Sequence, residues 1–585
     1  MKQKINKYLS ALLFVVALLF PSSCSEDFLE VKNPAKLDPA LFPAELKDYE
    51  LMMNSLYGQL RDGFYGQYFR SLPLIDHGND NGYDGAEFNE FSLNNLNPNM
   101  VALREIWTRL YSHIAKCNDF IIKSRKFKES ATPQEVIRVE QMEAEARFLR
   151  ALNYFHLVNK FGEKPIWSEA DKNTMGVPLW VDELALNIVG TSRARATQGE
   201  VYDQIISDLE EALPVFIGIG KIKSEASRID EWAVKSLLAK TYMYTLQWSK
   251  AVPVLQDIIM NSGKELVSYN TLRDMFNGRN EFNKESIFEV NFVYDPQSNN
   301  QQIGTGTVYQ RFVSITYINK KGAEIINGYS NYYVHDGNIP RYGFDDSSFD
   351  LATPALYPLS ISKDFNSGVL NAAYKAYSLQ VRADKSVDPR LFVTAYQPYI
   401  DTVNLNNGDG WLKISKGRME GYPNRDMKAW NNRKYCVDDK VYVGNCGINM
   451  YVFRLADIYL LYAESLIKSG GDQAVALEYI NKVHRRAYGQ PVNAPSLYDY
   501  TSLSDRTKTL DPNDHLANDV LKYERWAELI NEGDWWFDVR RWDIGQKEAN
   551  YYKKSNSGVL IWSGKYGWPI PQVELNSNSL IVPNP

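Results

Sequence analysis

The side chains in this sequence best suited by type and spacing to do chemistry are aromatic, and the chemistry they suit is binding. Tyr65, Tyr68 and Tyr83 lie near Asp76, Asn79, Asp80 and Asn81, while Tyr294, Tyr309, Tyr317, Tyr332, Tyr333 and Trp430 are set among polar neighbours further along. Tyr and Trp join an apolar body to a polar tip, which fits a half-wet binding surface as well as a core. Taken singly, each is more at home as a part-buried packing residue with its polar atom satisfied. As a set they form a candidate binding arc, because such an arc needs only two or three members.

Other chemistries find less support. The run Asp76 to Gly85, DHGNDNGYDG, could wrap a calcium ion with Asp80, Asn81 and Asp84. Its spacing does not fit the EF-hand loop, so a turn is the expected structure. The six His, at 77, 113, 156, 335, 484 and 515, show no paired ligand spacing, and no metal site is assigned. A glycosidase would need two carboxylates facing each other across a cleft. With 71 acidic residues such pairs arise by chance, and neither a Gly-rich phosphate loop nor a nucleophile elbow is present. No catalytic residue and no cofactor is therefore assigned. A net charge of −6, with no Lys/Arg run longer than Arg485-Arg486, argues against a nucleic-acid partner. Cys117 sits in an apolar helical pattern and reads as a small buried hydrophobe; whether Cys436 and Cys446 pair stays open, since spacing alone cannot bring their Cα atoms close enough.

These residues need elements to hold them. Lys2, Lys4 and Lys7 precede an apolar run, Leu9 to Phe20, too short for the ~20 residues that span a bilayer as a helix. With Pro21-Ser22-Ser23 before Cys24, residues 1–23 read as a cleaved signal peptide, and the junction resembles the lipobox of bacterial lipoproteins. Cys24 is then the acylated first residue of the mature chain, and membrane contact is expected through that lipid anchor only. Residues 24–45, with Pro34, Pro39 and Pro43, form a lipidated tether.

From Leu46 to residue 261 the helical period dominates, with helices expected over 46–60, 101–127, 134–160, 199–215, 230–246 and 248–261. Leu238, Ala239 and Tyr242 on one helix and Ala251, Leu255 and Ile258 on the next match the small and large positions of a tetratricopeptide repeat, although Lys235 stands where that repeat prefers Trp. The pattern recurs over 454–469 and 472–487 within a C-terminal region, 451–585. Residues 262–450 are instead rich in Asn, Gly, Asp, Ser, Tyr and Pro, with short strand-like runs at 286–292 and 393–396. The expected fold is mainly α: a tetratricopeptide-like helical-repeat scaffold supporting a loop-rich half with short strands. Loops on such a scaffold are where binding residues concentrate.

The strongest motif is Tyr523 to Trp542, YERWAELINEGDWWFDVRRW, on a helix expected over 516–530 with Gly533 as its C-terminal cap. It resembles the C-terminal signature of the SusD/RagB family, lipoproteins that work with TonB-dependent transporters in Bacteroidetes. Segments 144–165, 231–248, 454–487 and 567–585 resemble that family's repeats and tail in the same order. Arg525, Glu528, Asp538, Arg540 and Arg541 invite a catalytic reading, but charges three and four apart at a helix end more often tie that end down. The resemblance implies capture of a glycan at the cell surface and delivery to a SusC-like partner in the outer membrane. Ser25-Glu26-Asp27 after the Cys looks like the signal that sends such lipoproteins to the outer face. A sugar ring presents an apolar C–H face to an aromatic plane and hydroxyls to Asn, Asp or Arg, which suits the aromatics above. The same resemblance leaves open a peptide ligand, as the RagB side implies, or a mainly structural lid on the transporter.

Overall fold

The computed structural model describes residues 42–61, 65, 79–81, 90–91, 94–181, 192–219, 225–294, 306–307, 309, 313, 316–318, 324–326, 332–349, 371–406, 408, 410–414, 430–439, 446–552 and 562–585. Residues 1–41, which include Cys24 and the stretches expected to be signal peptide and tether, lie outside them, as does Tyr83. The chain divides into two units, Met1–Asp48 and Tyr49–Pro585. In the first, Asp48 accepts hydrogen bonds from the backbone N–H groups of Ala44 and Glu45 at 2.8 and 3.3 Å.

The helical half begins with α1 (Leu46–Leu60), α2 (Val101–Lys128), α3 (Pro133–Phe161), α4 (Gln198–Phe216), α5 (Glu231–Tyr244) and α6 (Trp248–Asn261). Their starts are written in side chains. Thr132 and Thr197 each open a helix with a reciprocal capping box to the Glu three residues on, and Pro133 takes the first helical position, where a missing N–H costs nothing. Asp230 caps α5 by accepting from the N–H groups of Trp232 and Ala233. From α2 to α6 each helix packs on the next. Arg150 on α3 ties three of them together, donating to Asp208 on α4 at 2.9 Å and to Asn118 on α2 at 2.7 Å. Lys235, at the position where a tetratricopeptide repeat prefers Trp, is buried between Glu231 and Asp257 and clips α5 to α6 by charge instead of bulk.

The loop-rich region is an insertion whose two ends are zipped together. Strand β1 (Asn79–Asn81) comes earlier in the chain; β2 (Ser286–Val290) then pairs antiparallel with β10 (Met450–Arg454). Between them lie β3 (Thr316–Ile318), β4 (Glu324–Ile326), β5 (Tyr332–Val334), the helix α7 (Ala372–Ala383), β6 (Ala395–Tyr396), β7 (Thr402–Asn404), β8 (Trp411–Lys413) and β9 (Trp430–Asn432). They form a four-stranded sheet in the order β1-β5-β9-β6 and two hairpins, β3–β4 and β7–β8. One expectation is corrected here. The run 393–396 is only half strand, because Leu391–Thr394 forms a helical turn before β6 begins. Cys436 and Cys446, whose pairing the sequence leaves open, are both buried thiols, as is Cys117.

After β10 the scaffold resumes with α8 (Leu455–Ser469) and α9 (Gln473–Ala487), α8 packing directly on α6. The insertion therefore leaves the stack of helices and returns to it at one place. Gly470, at φ 75°, ends α8 in the left-handed conformation that glycine adopts without strain. The signature follows as α10 (Val520–Leu529) and α11 (Trp535–Arg541). Gly533 does not cap α10: that helix ends at Leu529, and Gly533, at φ 91°, turns the chain into α11. The fold is the helical-repeat scaffold with a loop-rich half that the sequence predicts.

Packing within the scaffold makes a direct prediction. Ala239 on α5 is fully buried, so Ala239→Leu should overpack a helix contact and lower stability by about 1–3 kcal/mol in a urea melt. An unchanged midpoint would show that the small residue is not a packing requirement.

Candidate functional site

The most exposed tryptophan among the described residues stands on the hairpin β7–β8. The hairpin forms because its inward side chains are apolar: Val403 and Leu412 sit directly opposite each other and both are buried. Among its described residues the connection carries three at positive φ, Asn406, Gly408 and Gly410, types that tolerate the left-handed region a tight reversal needs. Period-two alternation then turns Trp411 outward, where its side chain is 65% exposed. Asn404 is its partner across the ladder. An open indole face with an amide beside it is the arrangement a sugar ring uses, stacking its C–H face while a rim hydroxyl takes a hydrogen bond. Strand β3, which carries Tyr317, packs against β8. The loop after β7 is fixed by the Asn406 amide, which donates to the Asp439 carbonyl at 2.7 Å, and Asp439 in turn accepts from Arg279 at 3.0 Å.

The aromatics nominated by the sequence fall into three groups. Tyr309, Tyr333 and Trp430 are interior residues, at 2%, 0% and 0% exposure. Tyr309 meets Tyr435 edge-on at 5.4 Å and Trp430 meets Phe344 edge-on at 5.1 Å, so their faces are used up in packing and leave no plane for a ligand. Tyr65 is likewise buried, its hydroxyl 2.8 Å from His156. Tyr294 is exposed, at 38%. Tyr317 and Tyr332 lie on β3 and β5, and Asp80 and Asn81 on β1, the strand that pairs with β5 so that Asn81 faces Tyr332 in register. Sequence and structure thus bring Asp80, Asn81 and Tyr332 to one edge of the four-stranded sheet, apart from Tyr83, which is outside the described residues. Trp411 is the residue that pattern reading misses, although the Asn-Gly-Asp-Gly cluster before it marks the turn that aims it.

The charges of the signature are bound up in the interior. Glu528 accepts from Arg454 at 2.7 Å and from Arg486; Arg454 also reaches Glu285 at 2.8 Å and Glu532 at 2.7 Å. Arg525 joins Asp457 at 2.9 Å to Asp538 at 2.7 Å, and Arg541 joins Asp538 to Glu464. Burial alone would push the Glu528 carboxyl up, but Arg486 and Arg454 overcome it and hold the group well below the usual carboxylate range. Arg540 is the exception: burial lowers it to about 10, and its Nε and Nη1 find no acceptor among the described residues. Four of the five signature charges therefore tie helices together, and none faces a cleft as an acid or base would. Among the described residues no cluster of His, Cys, Asp and Glu could hold a metal ion, and no helix is long and apolar enough to cross a membrane.

Comparison with known proteins gives a consistent result. Residues 284–585 match the SusD family, and residues 27–243 match a family described as starch-binding and associating with the outer membrane. SusD-like protein P25 of Formosa agariphila is 26% identical, the alignment covering 97% of this chain and 96% of that one. The starch-binding protein SusD of Bacteroides thetaiotaomicron is 20% identical over 81% of this chain and 76% of its own. Among solved structures, a laminarin-binding SusD-like protein superposes with a TM-score of 0.62 at 23% identity, covering 92% of this chain and 99% of its own. A SusD-like protein of Bacteroides fragilis reaches a TM-score of 0.67 at 20% identity, with 94% and 98% covered. With the C-terminal signature and the repeat pair α8–α9 both inside the matched residues 284–585, this chain belongs to the SusD/RagB family.

Proposed function

We propose that this protein is a lipid-anchored protein of the outer-membrane surface that binds an oligosaccharide or polysaccharide, leaves it unaltered and passes it to a SusC-like TonB-dependent transporter. The observation that carries the reading is Trp411, a large aromatic face held open to solvent by a hairpin whose other side is anchored in the core. Aromatic anchors of this kind hold most of the energy in binding sites. Tyr294, Tyr317 and Tyr332 are further contacts in this proposal, with Asp80, Asn81 and Tyr83 supplying rim contacts. A role without catalysis is supported by the signature charges, four of which are held in buried ion pairs inside the scaffold. A laminarin-binding protein and a starch-binding protein among the relatives favour glycan over peptide.

Binding to parallel glycan and peptide panels tests the ligand class. Affinity for a glycan that falls in Trp411→Ala supports the reading; affinity for peptides alone moves the protein to the RagB side of the family. Affinity for neither leaves the role of a structural lid on the transporter. The anchor has its own test. Metabolic labelling with a fatty-acid analogue should mark the wild-type protein and leave Cys24→Ala unlabelled, because that thiol is the proposed attachment point. Label on the variant would overturn the lipoprotein assignment.

A further inference from the structure

Of the five signature charges, Arg540 is the one that stands outside the ion pairs. Its guanidinium is 3% exposed, no carboxylate among the described residues pairs with it, and its Nε and Nη1 donate to none of their atoms. The neighbours its charge acts on most are the hydroxyls of Tyr202 on α4, Tyr244 on α5 and Tyr566. An arginine keeps its proton in a protein, so this charge persists at neutral pH. Left uncompensated in the interior, it is costly. A second basic group stands close by. Lys160, in the last turn of α3, is fully buried, its Nζ 3.2 Å from His156 Nδ1 and 5.0 and 5.9 Å from the ring centres of Phe537 and Trp568. Burial pulls its ammonium well below the ordinary lysine range, and the charge of Arg540 adds to the effect. Trp568 is buried too, and its Nε1 has no acceptor among the described residues. The unserved atoms of Arg540 and Trp568 are all donors, so what they ask for is an acceptor, and for Arg540 one that carries negative charge.

Room adjoins them. A cavity of about 50 Å³ is walled by His156 of α3 and Phe537 of α11, one turn before Lys160 and Arg540 on their helices. Asn159, also on its wall, joins it to the surroundings of the arginine by accepting from the Tyr202 hydroxyl at 3.1 Å. Such a volume takes a few waters or one small ion and no sugar ring. Glu532 and Asp534 line it as well, but both are taken: Glu532 by Arg454 at 2.7 Å and Lys434 at 2.8 Å, Asp534 by Lys240 at 2.6 Å. We propose that the interior between α3 and α11 binds a small monovalent inorganic anion of halide size, which accepts from the Arg540 guanidinium and has Lys160 as its second cation. One negative charge balances Arg540 whether or not Lys160 holds its proton. Water fills such a cavity equally well but brings no charge to offset a guanidinium. The ion does for Arg540 what Asp538 and Glu464 do for Arg541, and so fastens the signature to the scaffold. This site does not depend on the glycan reading.

Urea denaturation of the full chain in sodium chloride and in sodium gluconate, at equal ionic strength, reads the ion, because gluconate is too large for the cavity. At a chloride concentration about ten times its dissociation constant, the folded-to-unfolded ratio should be about tenfold higher than in gluconate. Sodium bromide should reproduce the gain, and Arg540→Met should abolish the difference between the salts. Equal stability of the wild type in chloride and gluconate, or a chloride gain that survives in Arg540→Met, overturns the site. The variant is not needed for a second reading. Wild-type crystals grown in sodium bromide should show an anomalous peak within hydrogen-bond distance of the Arg540 guanidinium, and no bromide peak there, or water alone, overturns the site even if Arg540→Met fails to fold.

Discussion

Glu528→Ala should destabilise the protein by about 3–5 kcal/mol, because it removes an acceptor shared by two buried arginines and leaves the cluster, which keeps Glu285 and Glu532, with one buried positive charge in excess. Arg454 and Arg486 are 2% and 1% exposed, and both reach Glu528 as well as Glu285. Lys434 joins the same cluster through Glu532 at 2.8 Å, and Arg390 links it to Glu524 at 2.7 Å. The participants come from the start of β2, the end of β10, α9, α10 and the segment after β9, so the cluster is what fastens the loop-rich insertion to the helical scaffold. Replacing the whole cluster by well-packed apolar side chains could be neutral, since desolvation offsets much of the attraction. Removing one member cannot. Urea denaturation measures the effect, and a loss below about 1 kcal/mol would show that the neighbouring carboxylates compensate for Glu528.

The same cluster sets the acid limit of the fold. Burial raises the Glu524 carboxyl, but Arg390 and His484 outweigh it and bring the group down to about 2; Glu528 is also depressed. A carboxylate whose folded value lies below its unfolded ~4.3 contributes stability that is complete above that value and is lost as pH falls toward the folded one. Stability should therefore decline from about pH 5 down toward pH 2. Glu528→Ala should flatten that decline, because the depressed carboxylate is gone from both states.

How much of this was legible in the sequence depends on the range over which each cause acts. Helices were readable because their signals are local: Thr132 and Glu135 cap one end of α3, and the apolar period fixes its buried face. The repeat register was readable for the same reason, down to the misfit at Lys235, whose answer, Asp257, lies one helix away. The signature charges could be recognised as structural from their spacing, but not matched with Glu285, Asp457 or Glu464, which the fold brings from far along the chain. Binding aromatics were the least legible. Trp430 and Trp411 both sit in polar, turn-rich surroundings, and both begin three-residue strands. What separates them is the sheet each joins: β9 is an inner strand between β5 and β6, which buries Trp430, whereas β8 belongs to a two-stranded hairpin with one face to solvent. Strand partners of that kind are not encoded in the neighbouring residues.

That contrast decides what the two tryptophans should do when removed. Trp411→Ala should leave the thermal melt near that of the wild type, because an indole already 65% exposed gives up little burial. If the hairpin face is a principal anchor, glycan affinity should fall by about 2–4 kcal/mol, roughly 30- to 700-fold. Trp430→Ala should do the reverse at first order. Its ring is fully buried against Phe344, so its loss opens a cavity and lowers stability, with any change in affinity following from the weakened sheet. Calorimetry against the glycan found by panel screening, run beside thermal melts of both variants, separates the two effects. Wild-type affinity in Trp411→Ala would shift the search for the stacking face to the paired strands β1 and β5, where Asn81 and Tyr332 are register partners. Under the transporter role proposed above, uptake in cells can outlast the loss of grip if the scaffold and not the ligand site makes the contact with the partner. Uptake assays alone therefore cannot replace the binding measurement.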